Sequence, residues 1–290
     1  MKYDNLHKLK KLYRLIVYVS HSTEYIESQR CFNKYVRETF RKALHSVKKH
    51  TSQPEKILNV GVGPGGNLAL FSNIFSETTM HCIDSSKPHI EAAKELHLPL
   101  LNLKFYQQNI ENELALNTAY NLIWISDVFY PDCVKNPARV LRKLKKFLKP
   151  KGRIAIYYNN WTRTKFLPGY PGLESKIHGA ILDQYEGEWN GPNNHENMHR
   201  WLKQSGYTIV QRKFYSTITA SKQEGIQYIE RTLMQGEYNR AFQTLLRKNK
   251  LTAEEVHTWN NVILPEDKTC IYELPGYRAT MQSELCIAKK

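Results

Sequence analysis

The stretch ILNVGVGPGGN at Ile57–Asn67 constrains the fold most, because it places four glycines in six positions directly after a short apolar run. Gly61, Gly63 and Gly66 satisfy the pattern G-x-G-x-x-G. With Gly65 as the third glycine, the same stretch satisfies G-x-G-x-G equally well. Glycine lets the backbone turn sharply and lets a ligand approach where a Cβ atom would clash. The loop therefore predicts a ligand cradle between a strand and a helix, and a tight turn without a ligand is the alternative.

Short apolar runs alternate with helical stretches from this loop onward. Such alternation is typical of an α/β fold with a doubly wound, mostly parallel sheet. The predicted strands are KILNVGV, MHCIDSS, LKFYQQNI, YNLIWISDVF, GRIAIYY, GYTIVQRKF and the final SELCIAKK. The helices predicted between the first five strands are GNLALFSNIF, HIEAAKELHL and ARVLRKLKKFLK. We therefore expect a seven-stranded sheet.

Helical periodicity outside this alternation predicts additions to the sheet. Apolar residues at three-and-four spacing predict amphipathic helices before the first strand, so we assign residues 1–50 to an N-terminal helical extension or lid. Residues 51–290 form the predicted sheet domain. Two of its segments depart from the alternation: 161–194 is rich in Gly, Pro, Asn and aromatic residues, and 221–273 is largely helical. We expect these insertions to cap the ligand site.

An acidic residue follows the glycine loop at the distance that a ribose-binding site requires. Asp84 ends the second predicted strand, 84 − 66 = 18 positions after Gly66. A carboxylate at this place accepts hydrogen bonds from both ribose hydroxyls. An Asp that caps the following helix is the alternative, and it is compatible with the same position.

The chain resembles class I S-adenosylmethionine-dependent methyltransferases, which have a Rossmann-like fold. The resemblance rests on the stretches ILNVGVGPGGN, HCIDSS, FYQQNIEN, YNLIWISDVF and LRKLKKFLKPKGRIAIYY. The last is the most specific, because a helix ending Leu-Lys-Pro-Gly-Gly commonly enters strand five in this family, and here Leu148-Lys149-Pro150-Lys151-Gly152 stands there. The resemblance implies that S-adenosyl-L-methionine is the cofactor.

The resemblance also implies which residues contact this methyl donor. Asn59 stands where the family usually has an acid near the methionine ammonium, and Asn109 stands where an acid often accepts from the adenine amino group. Both amides keep an acceptor oxygen, but Asn59 lacks the charge. The full predicted set is Asn59, Gly61, Gly63, Gly65, Asp84, Ser85, Asn109, Ile110 and Ser126.

The stretch HENMH at His195–His199 raises a rival hypothesis, because it fits the zinc-protease motif H-E-x-x-H. On a helix, the two histidines would share one face and Glu196 could activate a metal-bound water. The motif is short, and the third histidine of its extended form is absent. The alternative is the helix that the methyltransferase pattern expects here, capped by Asn193 or Asn194, with Trp201 and Leu202 facing the core. We predict no metal site.

Several absences weaken nucleic acid bases as the methyl acceptor. No Asn/Asp-Pro-Pro-aromatic turn follows strand four, where SDVFYPD stands, and Asp132 separates Pro131 from Cys133. We interpret Cys133 as an ordinary buried thiol. The chain is instead rich in aromatic residues, with 18 Tyr, 10 Phe and 5 Trp, which favour a pocket for a small organic molecule. The candidate substrate-binding residues are Tyr18, Tyr25, Phe129, Tyr130, Trp161, Tyr185 and Trp189.

These observations predict a methyltransferase that acts on an oxygen or nitrogen of a small organic molecule by in-line displacement. His195 is the first candidate for a general base, followed by His199 and His178. One alternative is an RNA or protein methyltransferase, since 42 Lys and Arg against 27 Asp and Glu give a net charge of +15. A catalytically silent donor-binding module is the other, because Asn59 lacks the usual charge.

Cysteine usage and hydropathy predict the compartment. The five cysteines form no C-x-x-C pair, and an odd number fits no closed disulfide framework, which favours a reducing environment. No uninterrupted apolar run approaches the roughly 20 residues that cross a bilayer. We therefore expect a soluble, cytoplasmic protein with a small-molecule substrate, in which a nucleic acid partner is not favoured.

Overall fold

The structure is a computed structural model. The residues it describes are 23–51, 53–97, 102–130, 133–183, 197–223, 225–234, 236–264 and 269–290.

Seven strands in the described residues form one sheet. Their bounds are Lys56–Val60 (β1), Thr79–Asp84 (β2), Leu103–Gln107 (β3), Tyr120–Ser126 (β4), Leu148–Lys165 (β5), Thr208–Ala220 (β6) and Arg278–Lys289 (β7). The strand order is β3-β2-β1-β4-β5-β7-β6. The pairs among β1 to β5 are parallel, and β7 runs antiparallel to both of its neighbours. The predicted α/β fold with a mostly parallel, seven-stranded sheet is confirmed.

Helices precede, flank and follow the strands. Their bounds are Thr23–Tyr35 (α1), Arg37–Thr51 (α2), Leu68–Ile74 (α3), Lys87–His97 (α4), Pro137–Leu144 (α5), Pro171–Asp183 (α6), Met198–Gln204 (α7), Ile226–Met234 (α8), Glu237–Arg247 (α9) and Ala253–Thr258 (α10). A π-helical turn, Trp259–Ile263, continues α10. In the described residues, no helix is both long and apolar enough to span a membrane.

The two faces of the sheet are covered by different helices because side chains alternate along each strand. One face packs Leu58 of β1 against Leu141 of α5 and Trp201 of α7. The other face buries Trp124 of β4 in edge-to-face contact with Phe40 of α2, with ring centroids 5.2 Å apart. Both layers exclude water from the strands, so the polar positions at the strand ends mark the surface available for ligands.

A third apolar core holds the remaining helices together. It unites Tyr35 at the end of α1, Ile177 of α6, Ile229 of α8 and Phe242 of α9, which stacks on Trp259 at 4.2 Å between ring centroids. We call α1, α6, α8, α9 and the turn Trp259–Ile263 the cap. Helices from before β1, after β5 and after β6 therefore share one core, although they are distant in sequence.

The N-terminal helices differ from the sequence prediction in one respect. The apolar periodicity of residues 24–48 is continuous and predicts one helical stretch, but α1 ends at Tyr35 and α2 begins at Arg37. Hydrogen bonds from the Val36 amide to the Phe32 carbonyl and from the Phe40 amide to the Val36 carbonyl bridge the break. The break lets α1 join the cap while α2 packs on the sheet.

The fifth strand is longer than predicted and the helix before it is shorter. α5 ends at Leu144, a 3-10 turn follows, and β5 begins at Leu148, within the predicted helix. At its other end β5 continues through Lys165, so the predicted insertion 161–194 begins with strand residues. Asn136 caps α5, since its Oδ1 accepts from the Arg139 amide over 2.9 Å.

Candidate active site

The glycine loop leaves β1 with three left-handed backbones, which only glycine adopts without strain. The φ angles of Gly61, Gly63 and Gly65 are 72°, 54° and 80°. A Cβ atom at Gly61 would lie 2.2 Å from Cγ2 of Val128, and one at Gly65 would lie 3.0 Å from Cβ of Ala93. At Gly63 nothing lies within 4 Å. Gly61 and Gly65 are therefore needed for packing, whereas Gly63 borders open space.

Asp84 lies beside this open space at the end of β2. Its Oδ2 accepts from the Gly63 amide over 2.9 Å. Its Oδ1 accepts from the Ser86 amide over 2.9 Å and lies 3.3 Å from Nδ1 of His89. A carboxylate offers about four acceptor positions, so acceptor capacity remains for a ligand hydroxyl. The bond to Ser86 also stabilises the start of α4, so the two alternatives for Asp84 are compatible.

The other predicted donor residues occupy mixed environments. Asn59 is buried, and its amide nitrogen donates weakly to the sulfur of Met80 at 3.8 Å. Asn109 is exposed, and its Oδ1 accepts from the Glu111 amide over 2.8 Å. Ile110 is buried and Ser85 is exposed. The contacts of these four residues with the donor stay predictions.

Ser126 lies next to the glycine loop, since its carbonyl oxygen would be 3.6 Å from a Cβ at Gly61, and its contact with the donor stays a prediction. The residue after it, Asp127, is not among the predicted site residues. Asp127 has a left-handed backbone with φ 51°, which is uncommon for a residue other than glycine. Its amide donates to the Tyr157 carbonyl over 3.1 Å, so the turn crosses from β4 to β5.

The Asp127 carboxylate is held by Asn159 of β5. Oδ1 accepts from the Asn159 amide over 2.8 Å and Oδ2 accepts from Nδ2 of Asn159 over 2.7 Å. Asn159 in turn accepts from the hydroxyl of Ser283 over 2.7 Å. Burial raises the pKa of Asp127 to about 6, against hydrogen bonds from Asn159, Ser126 and Tyr130 that lower it. A strained, desolvated carboxylate beyond the strand ends is a candidate functional group.

Tyr228 of the cap and Tyr130 of the turn after β4 interact with this carboxylate. We call Tyr25, Asp127, Tyr130, Tyr228 and Glu237 the tyrosine–carboxylate cluster. Burial raises the pKa of Tyr130 well above its ordinary value, and Asp127 is the nearby charge that raises it most. Burial likewise raises the pKa of Tyr228, and Glu237, Asp127 and Tyr25 each add to the rise. Electrostatic interactions therefore connect residues of α1, α8, α9 and the turn after β4.

Tyr25 connects this cluster with the donor side. Burial raises its pKa to about 12, and the groups that raise it further are Cys133, Asp84 and Glu237. Its ring stacks on the imidazole of His89, with centroids 5.7 Å apart and planes 13° apart. His89, which contacts Asp84, was not predicted. Its only sequence signal is its place one turn into the helix that follows the acid.

The helix α1 also touches the glycine loop directly. Nδ2 of Asn67 donates to Oδ1 of Asn33 over 2.8 Å. A Cβ atom at Gly66 would lie 2.5 Å from Nδ2 of Asn33. Gly66 is therefore required for the approach of α1, which is the helix that carries Tyr25.

The predicted substrate-binding residues divide into three groups. Tyr25 and Tyr130 lie in the cluster. Phe129 does not: it is buried in the sheet core against Trp201, with ring centroids 5.9 Å apart, because its side chain turns inward after β4. Cys133, which is not one of these candidates, was predicted to be a buried thiol and is exposed. The backbone of Trp161 lies in β5, and its side chain lies outside the described part of the chain, as do Tyr18, Tyr185 and Trp189.

The candidate bases lie in different places. His178 of α6 is inside the cap, where its Nε2 lies 2.5 Å from the hydroxyl of Tyr238. Burial lowers the pKa of His178 to about 4, so its imidazole is neutral at neutral pH. His199 is half-buried in the first turn of α7, and His195 lies outside the described residues. Trp201 and Leu202 face the core as predicted. α7 begins at Met198 with Asn197 at its N-cap, and the predicted caps Asn193 and Asn194 lie outside the described residues.

The metal hypothesis gains no candidate ligand set from the described residues. Within them, no group of three or more His, Cys, Asp or Glu side chains is placed to hold a metal ion. His195 and Glu196 of the HENMH stretch lie outside the described part.

Comparisons with known proteins agree with this geometry. The family model for the methyltransferase domain matches residues 51–243, more than half of the chain. The protein BH2331 of Bacillus halodurans C-125 superposes with a TM-score of 0.52 at 13% identity, covering 85% of this chain and 98% of that one. The YcgJ protein of Bacillus subtilis superposes with a TM-score of 0.51 at 14% identity, covering 86% and 98%. No curated protein sequence matches the chain significantly.

The sheet order and the glycine loop define the class I fold of S-adenosylmethionine-dependent methyltransferases. The chain belongs to the methyltransferase domain family, and S-adenosyl-L-methionine is its methyl donor. Its residues fit that ligand, because Gly63 leaves open space where a Cβ would intrude and Asp84 beside it keeps acceptor capacity.

Proposed function

We propose that this methyltransferase transfers the methyl group to an oxygen or nitrogen of a small organic molecule. The observation that carries the proposal is the tyrosine–carboxylate cluster, in which Tyr228 of the cap interacts with Asp127 at the strand ends. Tyr25 of the cap stacks on His89, which contacts Asp84 at the end of β2. Ligands of doubly wound sheets bind beyond these ends. Helices at this edge enclose an acceptor, which favours a small molecule over a polymer.

The roles that we propose for the chain follow from its contacts. The donor, when bound, supplies a methyl group activated by a positively charged sulfur. Gly63 and Asp84 hold the donor, and the cap tyrosines enclose the acceptor and exclude water. Holding two reactants in line supplies up to roughly 7–11 kcal/mol of the barrier reduction.

Asp127 joins the candidate bases in this proposal. Its pKa of about 6 lies nearer to neutral pH than that of an ordinary carboxyl group, which suits proton transfer near pH 7. His195 and His199 stay candidates because both precede or begin α7, which follows the cap segment. His178 is less suited, since its imidazole is already engaged with Tyr238 inside the cap.

Donor binding at the glycine loop is tested by Gly63→Ala. We expect the affinity for S-adenosylhomocysteine, measured by calorimetry, to fall at least about tenfold, because the new Cβ occupies ligand space. Gly276→Ala is the matched control: Gly276 has φ 85° with nothing within 4 Å, so it carries the same backbone strain outside the loop. Equal affinity in both variants would contradict this role of Gly63.

A second candidate function, methylation of RNA, is favoured by one observation. A cavity of about 330 Å³ between α2 and β6 is lined by basic side chains, namely Arg41, Lys42, His45, Lys49 and Lys213. Such a groove suits a phosphate backbone, whose binding weakens steeply with salt.

The two candidates are separated by methyl-transfer assays with radiolabelled donor. Small-molecule and RNA fractions of one cell extract serve as acceptors at low and high salt. The proposed function predicts label in the small-molecule fraction, with little dependence on salt. Label confined to RNA, and lost at high salt or in a Lys42→Glu, Lys49→Glu variant, would overturn it.

A further inference from the structure

The strand β6 has one side that no other strand of the described residues occupies. It lies at the edge of the sheet, where β7 is its neighbour. From Gln211 to Ala220 the two strands pair in a regular antiparallel register, after an irregularity between Ile209 and Gln211. In an antiparallel edge strand, every second residue directs its backbone N–H and C=O groups away from the sheet. This stretch therefore offers a row of donors and acceptors to another extended chain.

One face of β6 carries an exposed apolar pair. Phe214 and Ile218 point to the same face, since they are four residues apart along a strand. They are 60% and 62% exposed, the highest values among the large apolar side chains that the structure describes. The guanidinium of Arg212 lies 4.9 Å from the centroid of the Phe214 ring, and it is ion-paired with Glu284 of β7. Contiguous exposed apolar side chains of this kind mark interaction sites.

The opposite face of β6 borders the basic groove. This groove has a volume of about 330 Å³ and is lined by Arg41, Lys42, His45, Ser46 and Lys49 of α2 and by Lys213 and Tyr215 of β6. The Lys213 amine lies 5.3 Å from the centroid of the Tyr215 ring. Glu38 of α2 lies 2.9 Å from Arg41 and 3.6 Å from Lys42. One carboxylate cannot neutralise four cations, so the groove attracts negative charge.

A chain that pairs with β6 meets both of these faces, because side chains alternate along a strand. Its residues on one face contact Phe214 and Ile218, and those on the other face contact Lys213 and the cations of α2. We infer that β6 binds an extended segment of a partner protein in which apolar and acidic residues alternate, and that this segment adds a further strand to the sheet. The inference concerns an interaction surface and is independent of which molecule accepts the methyl group.

Other occupants fit this surface less well. If β6 paired with β6 of a second copy of the chain, the basic grooves of both copies would lie on the same sheet edge and repel each other. Charged residues at an edge are a known means of preventing such self-pairing. RNA would be held by the cations of the groove, but its phosphates gain nothing from Phe214 and Ile218 on the opposite face.

Synthetic peptides test the surface on the full-length chain by fluorescence anisotropy. The probe is fluorescein-labelled (Glu-Val)4. The control peptides are (Lys-Val)4 and a peptide of the same composition as the probe in which all glutamates precede all valines. We expect the probe to bind at least about tenfold more tightly than either control peptide. Binding should also slow hydrogen exchange of the β6 amides that point away from β7, because an added strand protects them.

Two variants of the surface should weaken binding of the probe. Phe214→Ser combined with Ile218→Ser should weaken it about fivefold or more, because the apolar contacts are lost. Lys49→Glu combined with Lys213→Glu should weaken it about tenfold or more, because the sign of the charge is reversed on both walls of the groove.

Matched controls make the same chemical changes at another surface. Leu246→Ser removes an apolar side chain that is 38% exposed on α9, and Lys248→Glu reverses a charge just after that helix. Both variants should bind the probe as the wild-type protein does. The affinity of every variant for S-adenosylhomocysteine reports that it is folded.

Four outcomes overturn the inference. Equal affinity for the three peptides excludes recognition of alternating acidic residues, and unchanged affinity in the Phe214→Ser, Ile218→Ser variant excludes the apolar pair. Tighter binding of oligouridylate than of the probe, lost with Lys213→Glu but not with Phe214→Ser, assigns the surface to RNA. Self-association in sedimentation velocity that Phe214→Ser, Ile218→Ser abolishes assigns it to a second copy of the chain.

Discussion

Two desolvated carboxylates, those of the half-buried Asp127 and the buried Glu174, are alike in their immediate bonding. Asp127 accepts from the backbone amide of Asn159 in β5. Glu174 of α6 accepts from the amides of Phe166 and Leu167, just beyond the end of the same strand, at 2.5 and 3.2 Å. Burial raises the pKa of both groups.

Their wider surroundings differ. The other partners of Glu174 close on themselves inside the cap: it accepts from the Tyr238 hydroxyl over 2.9 Å, and Tyr238 is shared with His178 and Thr164. Asp127 has a strained backbone and interacts with Tyr130 of its own turn and with Tyr228 of α8. A desolvated carboxylate therefore does not by itself mark a site. Its place beyond the strand ends, where ligands of doubly wound sheets bind, is what makes Asp127 the candidate for a reactive group and Glu174 the structural one.

The largest expected effect separates the two carboxylates by kinetics. Asp127→Asn should lower kcat/KM about 10³-fold, within the usual range for a lost acid–base group. Glu174→Gln should change kcat/KM by less than about threefold. Steady-state assays on both variants make the measurement. Similar losses in the two would break the distinction.

For protein stability, in contrast to the kinetics, we expect the large effect at Glu174. Glu174→Ala leaves two backbone amides and the Tyr238 hydroxyl without their acceptor, and each buried orphan costs about 1–3 kcal/mol. We expect the free energy of unfolding to fall by about 4 kcal/mol in chemical denaturation. Glu174→Gln keeps one acceptor oxygen and is the milder control. A loss under about 1 kcal/mol in Glu174→Ala would mean that this network does not hold the cap.

The pH dependence of stability should have opposite signs for the hydrogen-bond network of Glu174, which includes His178, and for that of Asp127. His178 has a folded-state pKa of about 4 against an ordinary 6.5, so the unfolded chain binds more protons between these values. Stability should therefore rise with pH across this window, by about 3 kcal/mol. His178→Gln should remove that rise, as denaturation at pH 4, 5 and 6.5 would show. An unchanged pH profile in the variant would contradict the assignment.

Asp127 gives the opposite slope. Its folded-state pKa is about 6 against an ordinary 3.8, so the folded protein binds more protons between these values. Stability should fall as pH rises through this window, by up to about 3 kcal/mol. The difference in unfolding free energy between wild type and Asp127→Asn should change accordingly between pH 4 and pH 7. A constant difference would mean that the carboxylate is not desolvated.

The sequence predicts the sheet well because the signals for it are local. The apolar runs, the glycine loop and Asp84 occupy neighbouring positions, and each can be recognised from the few residues around it in the sequence. Tertiary contacts decide the rest. Phe129 and Tyr130 are adjacent aromatics after β4, and the side chain of one packs in the core while the other joins the cluster. The importance of Asp127 depends on Asn159, 32 positions away, and that of Glu237 depends on the fold of the cap.

The contact between Asn33 and the glycine loop has a consequence for the order of events in catalysis. One helix, α1, packs on the glycine loop through Asn33 and carries Tyr25, which we propose as an acceptor-binding residue. Occupancy of one site should therefore be felt at the other, and such thermodynamic coupling is reciprocal. We expect an acceptor to tighten S-adenosylhomocysteine binding several-fold, and Asn33→Ala to abolish that gain. Affinities that are the same with and without acceptor would show that the two sites act independently.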